Sequence, residues 1–148
     1  MIYFDKEKTK PVNIDSIEWY DGYELKVCKL KNDDSYYVFG DLEVIARESV
    51  TVYSYDNSTV HCYDNSEVDA YDDSTVYAYN NSKVEAYDNS KLNAYDNSKV
   101  TSYGNSKVNA YDNSKVFSCN NVKVESYDNL EIYYYGEKLI DNRGEDWQ

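Results

Sequence analysis

From Val44 to Tyr135 the sequence repeats an eight-residue unit close to Val-x-Ala-Tyr-Asp-Asn-Ser-x, with no insertion or deletion. Its apolar first position recurs at a step of eight through Val44, Val52, Val60, Val68, Val76, Val84, Leu92, Val100, Val108, Val116, Val124 and Ile132. A period held this strictly restricts the chain to a stacked-repeat architecture. Each unit must lie on its neighbours, because one extra residue would throw every later column out of line. Composition argues the same way, since 19 tyrosines carry much of the apolar content while the Leu, Ile and Phe of a large globular core are scarce.

Within one unit, Ser58-Thr-Val-His-Cys62 alternates. In a strand this places Ser58, Val60 and Cys62 on one face and Thr59, His61 and Tyr63 on the other. The first set is small and nearly constant from unit to unit, whereas the position after valine runs through His61, Asp69, Tyr77, Glu85 and Asn93. Ser, Val and Ala are therefore expected inside. Asp-Asn makes the corner, because Asx side chains bond neighbouring backbone groups and Asn tolerates the left-handed region almost as glycine does.

Each octad is then one strand and one corner. One valine and two small residues fill only a thin interior, which favours two octads, sixteen residues, per coil over three octads around a wider triangular core. The expected fold class is all-β: a parallel β-solenoid (β-helix) of two thin sheets with an N-terminal hairpin cap. Twelve octads make six coils and, at about 4.8 Å per strand, a stack roughly 29 Å long. Residues sixteen apart become vertical neighbours, so Tyr55 to Tyr111 divide into two stacked ladders, broken at Cys119 and resumed at Tyr127 and Tyr135.

The flanks read as end-pieces. Residues 1–43 are expected to form a cap, with alternation from Tyr23 and a turn signal at Lys31-Asn-Asp-Asp-Ser35 predicting a hairpin over Tyr23 to Leu42. Capping suits a solenoid, whose open ends invite edge-to-edge association. The serine column, Ser58 to Ser114 in the middle, becomes apolar at Leu42 and Val50 before it and at Val122 and Leu130 after it. Residues 136–148 are a C-terminal cap or tail. The apolar run before and into it, with Tyr133, Tyr134, Tyr135, Leu139 and Ile140, is the candidate surface for homodimerisation.

The unit Ala-Tyr-Asp-Asn-Ser-Lys-Val resembles the octad inside the sixteen-residue repeat of bacterial ice-nucleation proteins, which also combines Ala, Tyr, turn residues and Ser. Asp-Asn stands where they have glycine, and their Thr-x-Thr motif is absent, which argues against a flat hydroxyl lattice and ice binding. In architecture and acidity the chain is also similar to pentapeptide-repeat proteins, some of which imitate DNA and inhibit gyrase. These resemblances cover residues 44–135 and imply a solenoid of bacterial or phage type.

No catalytic constellation emerges. His61 is the only histidine and occupies a variable outward site, and no serine or cysteine is singled out beside it. The aspartates recur with the corners, and the glycine-rich nonapeptide of calcium-binding rolls is missing. No glycine-rich phosphate loop exists either. Cys28, Cys62 and Cys119 are too dispersed for a zinc site or a disulfide scaffold. The chain is expected to be no enzyme, to hold no metal or cofactor, and, lacking the apolar core of a signal peptide at its start, to be cytoplasmic.

Charge is the one feature that repetition leaves unexplained. The net charge of −13 argues against nucleic acid or a membrane as direct partner and for a basic protein. It is also unevenly spread: residues 44–82 hold 7 acidic and 1 basic residue, whereas from Lys83 to Lys123 the position before valine is lysine in six successive octads. The acidic half offers Asp56, Asp64, Glu67, Asp69, Asp72 and Asp73 as a partner-binding patch. The expected function is inhibition of a nucleic-acid-handling protein, as an anti-defence or DNA-mimic factor acts, with a structural or adhesive self-assembling module as the alternative. Duplex DNA carries one charge per about 1.7 Å, more than twice the net density of the repeats, so mimicry belongs to the acidic end.

Overall fold

The computed structural model describes residues 2–4, 17–20, 23–29, 35–41, 43–119, 121–128, 131–135, 139–140 and 146–147. Four strands precede the repeats: β1 (Ile2–Phe4), β2 (Ile17–Tyr20), β3 (Tyr23–Lys29) and β4 (Ser35–Val38). The octads then supply one strand each: β5 (Glu43–Ala46), β6 (Thr51–Ser54), β7 (Thr59–Cys62), β8 (Glu67–Ala70), β9 (Thr75–Ala78) and β10 (Lys83–Ala86). They continue as β11 (Lys91–Ala94), β12 (Lys99–Ser102), β13 (Lys107–Ala110), β14 (Lys115–Cys119), β15 (Lys123–Ser126) and β16 (Glu131–Tyr135). A last pair, β17 (Leu139–Ile140) and β18 (Asp146–Trp147), is antiparallel. Among the described residues there is no helix.

Strands alternate between two eight-stranded sheets, the even strands with β1 in one and the odd strands with β2 in the other. The stack makes about six turns. Partners are sixteen residues apart, as Val60↔Val76 and Val52↔Val68 show. The thin interior thus closes at two octads per coil.

The inside is filled as the alternation requires. The valine column from Val44 to Val124, the Ala column and Ser58 to Ser114 are buried, most of them completely. Serine at the inner corner has a specific use. In Ser58, Ser66, Ser90, Ser106 and Ser114 the hydroxyl donates to the carbonyl of the tyrosine three residues earlier, at 2.5 to 2.9 Å. The hydroxyls of Ser74, Ser82 and Ser98, in the same column, are buried without a partner. Val50 and Val122 replace serine there and are buried too, whereas Leu42 and Leu130 lie outside the described residues.

Two expectations need correction. The hairpin is β2–β3, not Tyr23 to Leu42: β3 runs antiparallel to β2 and parallel to β5, while β4 lies in the other sheet against β6. Ser35–Val38 is already a rung of the stack, with buried Tyr36 in the valine column opposite Val52. At the corners, the left-handed residue is the aspartate rather than the asparagine. Asp56, Asp64, Asp72, Asp88, Asp96 and Asp112 have φ of 56 to 60°, Asn80 takes the same role where it replaces Asp, and Gly104 does so at 67°.

The tyrosines form the two ladders. One runs from Phe39 through Tyr55, Tyr71 and Tyr87 to Tyr103, with centroids 4.9 to 5.1 Å apart. The other runs from Tyr63 through Tyr79, Tyr95 and Tyr111 to Tyr127 without a break, because Cys119 interrupts only the first. The Arg47 guanidinium covers the start of the second, 4.8 Å from the Tyr63 ring.

Candidate functional site

The six predicted carboxylates fall in three places rather than one. Asp56, Asp72 and Asp73 lie on the edge where the even strands turn into the odd ones, and Asp64 lies on the opposite edge. Glu67 and Asp69 project from β8 on the outer face between those edges. The exposed corner aspartates already have work. Asp56 Oδ2 accepts the Gly40 N–H at 2.9 Å, Asp64 Oδ2 accepts the Glu48 N–H at 3.1 Å, and Asp72 Oδ2 accepts the Asp56 N–H at 3.1 Å. On the first edge the pattern ends at Asp88, which accepts the Asp72 N–H at 3.2 Å. On the opposite edge it runs through Asn80, Asp96 and Asp112 to Asp128, which accepts the Asp112 N–H at 2.8 Å. Each aspartate thus caps the amide of the coil before it. Asp73 joins the corner ladder through its backbone N–H, which donates to the Asp56 carbonyl at 3.1 Å.

Glu67 and Asp69 are not used in this way. In-register pairing sets Asp69 beside Tyr53 on one side and Glu85 on the other. Glu85 is the residue that the sequence reading left out of the patch, although its place sixteen residues beyond Asp69 gives it away. Partial burial, then the charges of Glu85 and Glu67, raise the Asp69 carboxyl above its ordinary range. Tyr87 donates to Glu85 Oε2 at 2.6 Å, and this bond, followed by burial, pushes its phenol up. Burial and then Asp69 do the same to Tyr71. Lys83 offsets part of the charge, its ammonium 3.2 Å from Glu67.

The basic half is a pair of lysine ladders on opposite faces. Lys83, Lys99 and Lys115 are successive partners on the even sheet, and Lys91, Lys107 and Lys123 on the odd sheet. On the odd face Glu125 reaches Lys123 at 3.0 Å and Lys107 at 3.9 Å, and the bond to Lys123 holds its carboxyl low.

Of the predicted self-association residues, Tyr133 stacks on Phe117 at 4.8 Å and is 46% exposed. Tyr134 and Tyr135 lie in β16, and Leu139 and Ile140 in β17, but the side chains of these four are outside the described residues. His61 is engaged structurally, 2.5 Å from Glu43 and stacked on Tyr77. Cys62 is a buried free thiol that burial pushes up to about 11, despite a bond to Ser66 that lowers it, so it is a poor nucleophile. Among the described residues no group of His, Cys, Asp or Glu is arranged to hold a metal ion. In comparison with known proteins, no family model, curated protein or solved structure matches the chain.

Proposed function

We propose that this chain is a non-catalytic binding rod that offers its Glu67–Asp69–Glu85 face to a basic protein. The partner belongs to the nucleic-acid-handling class, and the rod inhibits it in the manner of a bacterial or phage anti-defence factor or a DNA-mimic inhibitor of gyrase type. The observation that carries the reading is the crowding of three carboxylates on successive rungs, close enough to raise the Asp69 carboxyl. Lining tyrosines add aromatic surface suited to arginine.

The test is binding of an arginine-rich peptide followed across a salt series. Neutralising Glu67→Gln, Asp69→Asn and Glu85→Gln together is expected to weaken it about tenfold or more, at roughly 0.5 to 1 kcal/mol for each exposed charge. Asp72 is left intact because its carboxylate caps the Asp56 amide. Unchanged affinity in the triple variant would defeat the proposal. A second reading, a structural or adhesive module assembling through its end, draws support from exposed Tyr133 on β16, the last strand of its sheet. Such assembly would persist or strengthen with salt, whereas the first kind of binding weakens.

A further inference from the structure

We propose that two copies of this chain dock face to face through the even-stranded sheet, with their rods antiparallel, and that the Glu67 of each copy pairs with the Lys99 of the other.

The argument starts from the order of side chains up that face. Successive rungs present Glu67 with Asp69, then Lys83 with Glu85, then Lys99 with Thr101. Beyond them on either side are aromatic pairs, Tyr37 stacked on Tyr53 at 4.8 Å and Phe117 stacked on Tyr133 at 4.8 Å. The face therefore reads aromatic, acidic, mixed, basic, aromatic. A two-fold axis along the strand direction, through the Lys83 and Glu85 rung, reverses that order in the second copy while keeping each column opposite itself. Glu67 then meets Lys99 twice, Tyr53 meets Phe117 twice, and Asp69 meets the Thr101 hydroxyl. The Glu85 pair on the axis is flanked by the Lys83 of both copies.

The competing arrangement is worse on charge. A two-fold axis along the rod keeps the rungs level and sets Lys83 against Glu85, but the doubly acidic Glu67 and Asp69 rung then faces itself and Lys99 meets only Thr101. The strand-direction axis confines like-on-like contacts to the electrically neutral Lys83 and Glu85 rung. The odd-stranded face lacks the pattern, since its acidic Glu125 lies within the lysine half and already engages Lys107 and Lys123.

Size sets the strength. Five rungs of four residues span about 24 Å by about 13 Å, a flat area of ~300 Å² per copy, which belongs to a weak and transient association. This face is also the one offered to a basic partner, so the two complexes compete. Dimerisation of the isolated chain is nevertheless measured without that partner and stands or falls by itself.

Sedimentation equilibrium of the full chain at low salt, over a concentration series, provides the test. The unaltered chain should show a dimer fraction that grows with concentration and disappears at high salt. Lys99→Glu alone and Glu67→Lys alone should each be monomeric, with the circular dichroism of the parent. An equimolar mixture of the two variants should regain the dimer, because every Glu and Lys is again matched. A monomeric parent, a single variant that still dimerises, or a mixture that stays monomeric would overturn the proposal.

Discussion

The aspartates at the corners and the carboxylates on the face between them carry the same charge in different circumstances. At a corner the side chain follows a left-handed backbone and accepts an amide of the preceding coil, as Asp96 does for Asn80 at 2.9 Å. On the face, Asp69 has a neighbouring carboxylate where the corner residue has an N–H. The difference teaches that acidity in this chain has two origins. The repeating aspartates belong to the fold, and only the carboxylates that break the repeat are available to a partner.

Substitutions can break or sharpen this contrast. Asp96→Ala should have the largest effect, because alanine takes a positive φ at a cost of roughly 1 to 2 kcal/mol and the Asn80 amide loses an acceptor worth about 1 kcal/mol. A urea titration should show a loss of about 2 to 3 kcal/mol for Asp96→Ala and about 1 kcal/mol for Asp96→Gly, since glycine removes only the acceptor. Equal losses would show that backbone handedness contributes nothing.

Gly104→Asp asks the same question in reverse. Gly104 sends no carboxylate to the Asp88 amide, and a Cβ there would lie 3.2 Å from the Asp88 backbone nitrogen and oxygen. The new acceptor and the close approach should offset each other to within about 1 kcal/mol.

Asp69→Asn should have the smallest effect at neutral pH, a slight stabilisation, and its size depends on pH. Because the folded chain raises the Asp69 carboxyl, it favours the protonated form. The contribution of Asp69 is therefore most favourable below the ordinary carboxylate range and is lost as pH rises through the folded value. Urea midpoints of parent and variant should converge on acidification. A gap that widens in acid would contradict the crowding of Glu67, Asp69 and Glu85.

The architecture was readable because every column is monotonous. A valine every eight residues and small residues beside it fix the strand, the inner face and, through volume, the sixteen-residue coil. Reading failed where a side chain departed from its column. Tyr36 occupies a valine position as a large aromatic, which hid the rung at Ser35–Val38 and displaced the expected hairpin by one strand. The candidate site was harder still. Proximity in sequence grouped Asp64 with Asp72, which the alternation of corners sends to opposite edges, and it separated Asp69 from Glu85, which pairing makes adjacent. Distance along the chain misleads in a coil, while distance modulo sixteen does not.

That arithmetic limits how such a chain can change length. Removing one octad preserves strand, corner and interior, yet hands every later outward residue to the opposite flank, so that the Lys99 row would change places with the Lys107 row. Removing two octads leaves each flank with its own residues. A descendant that keeps its surface chemistry can therefore lengthen or shorten only by whole turns, sixteen codons at a time.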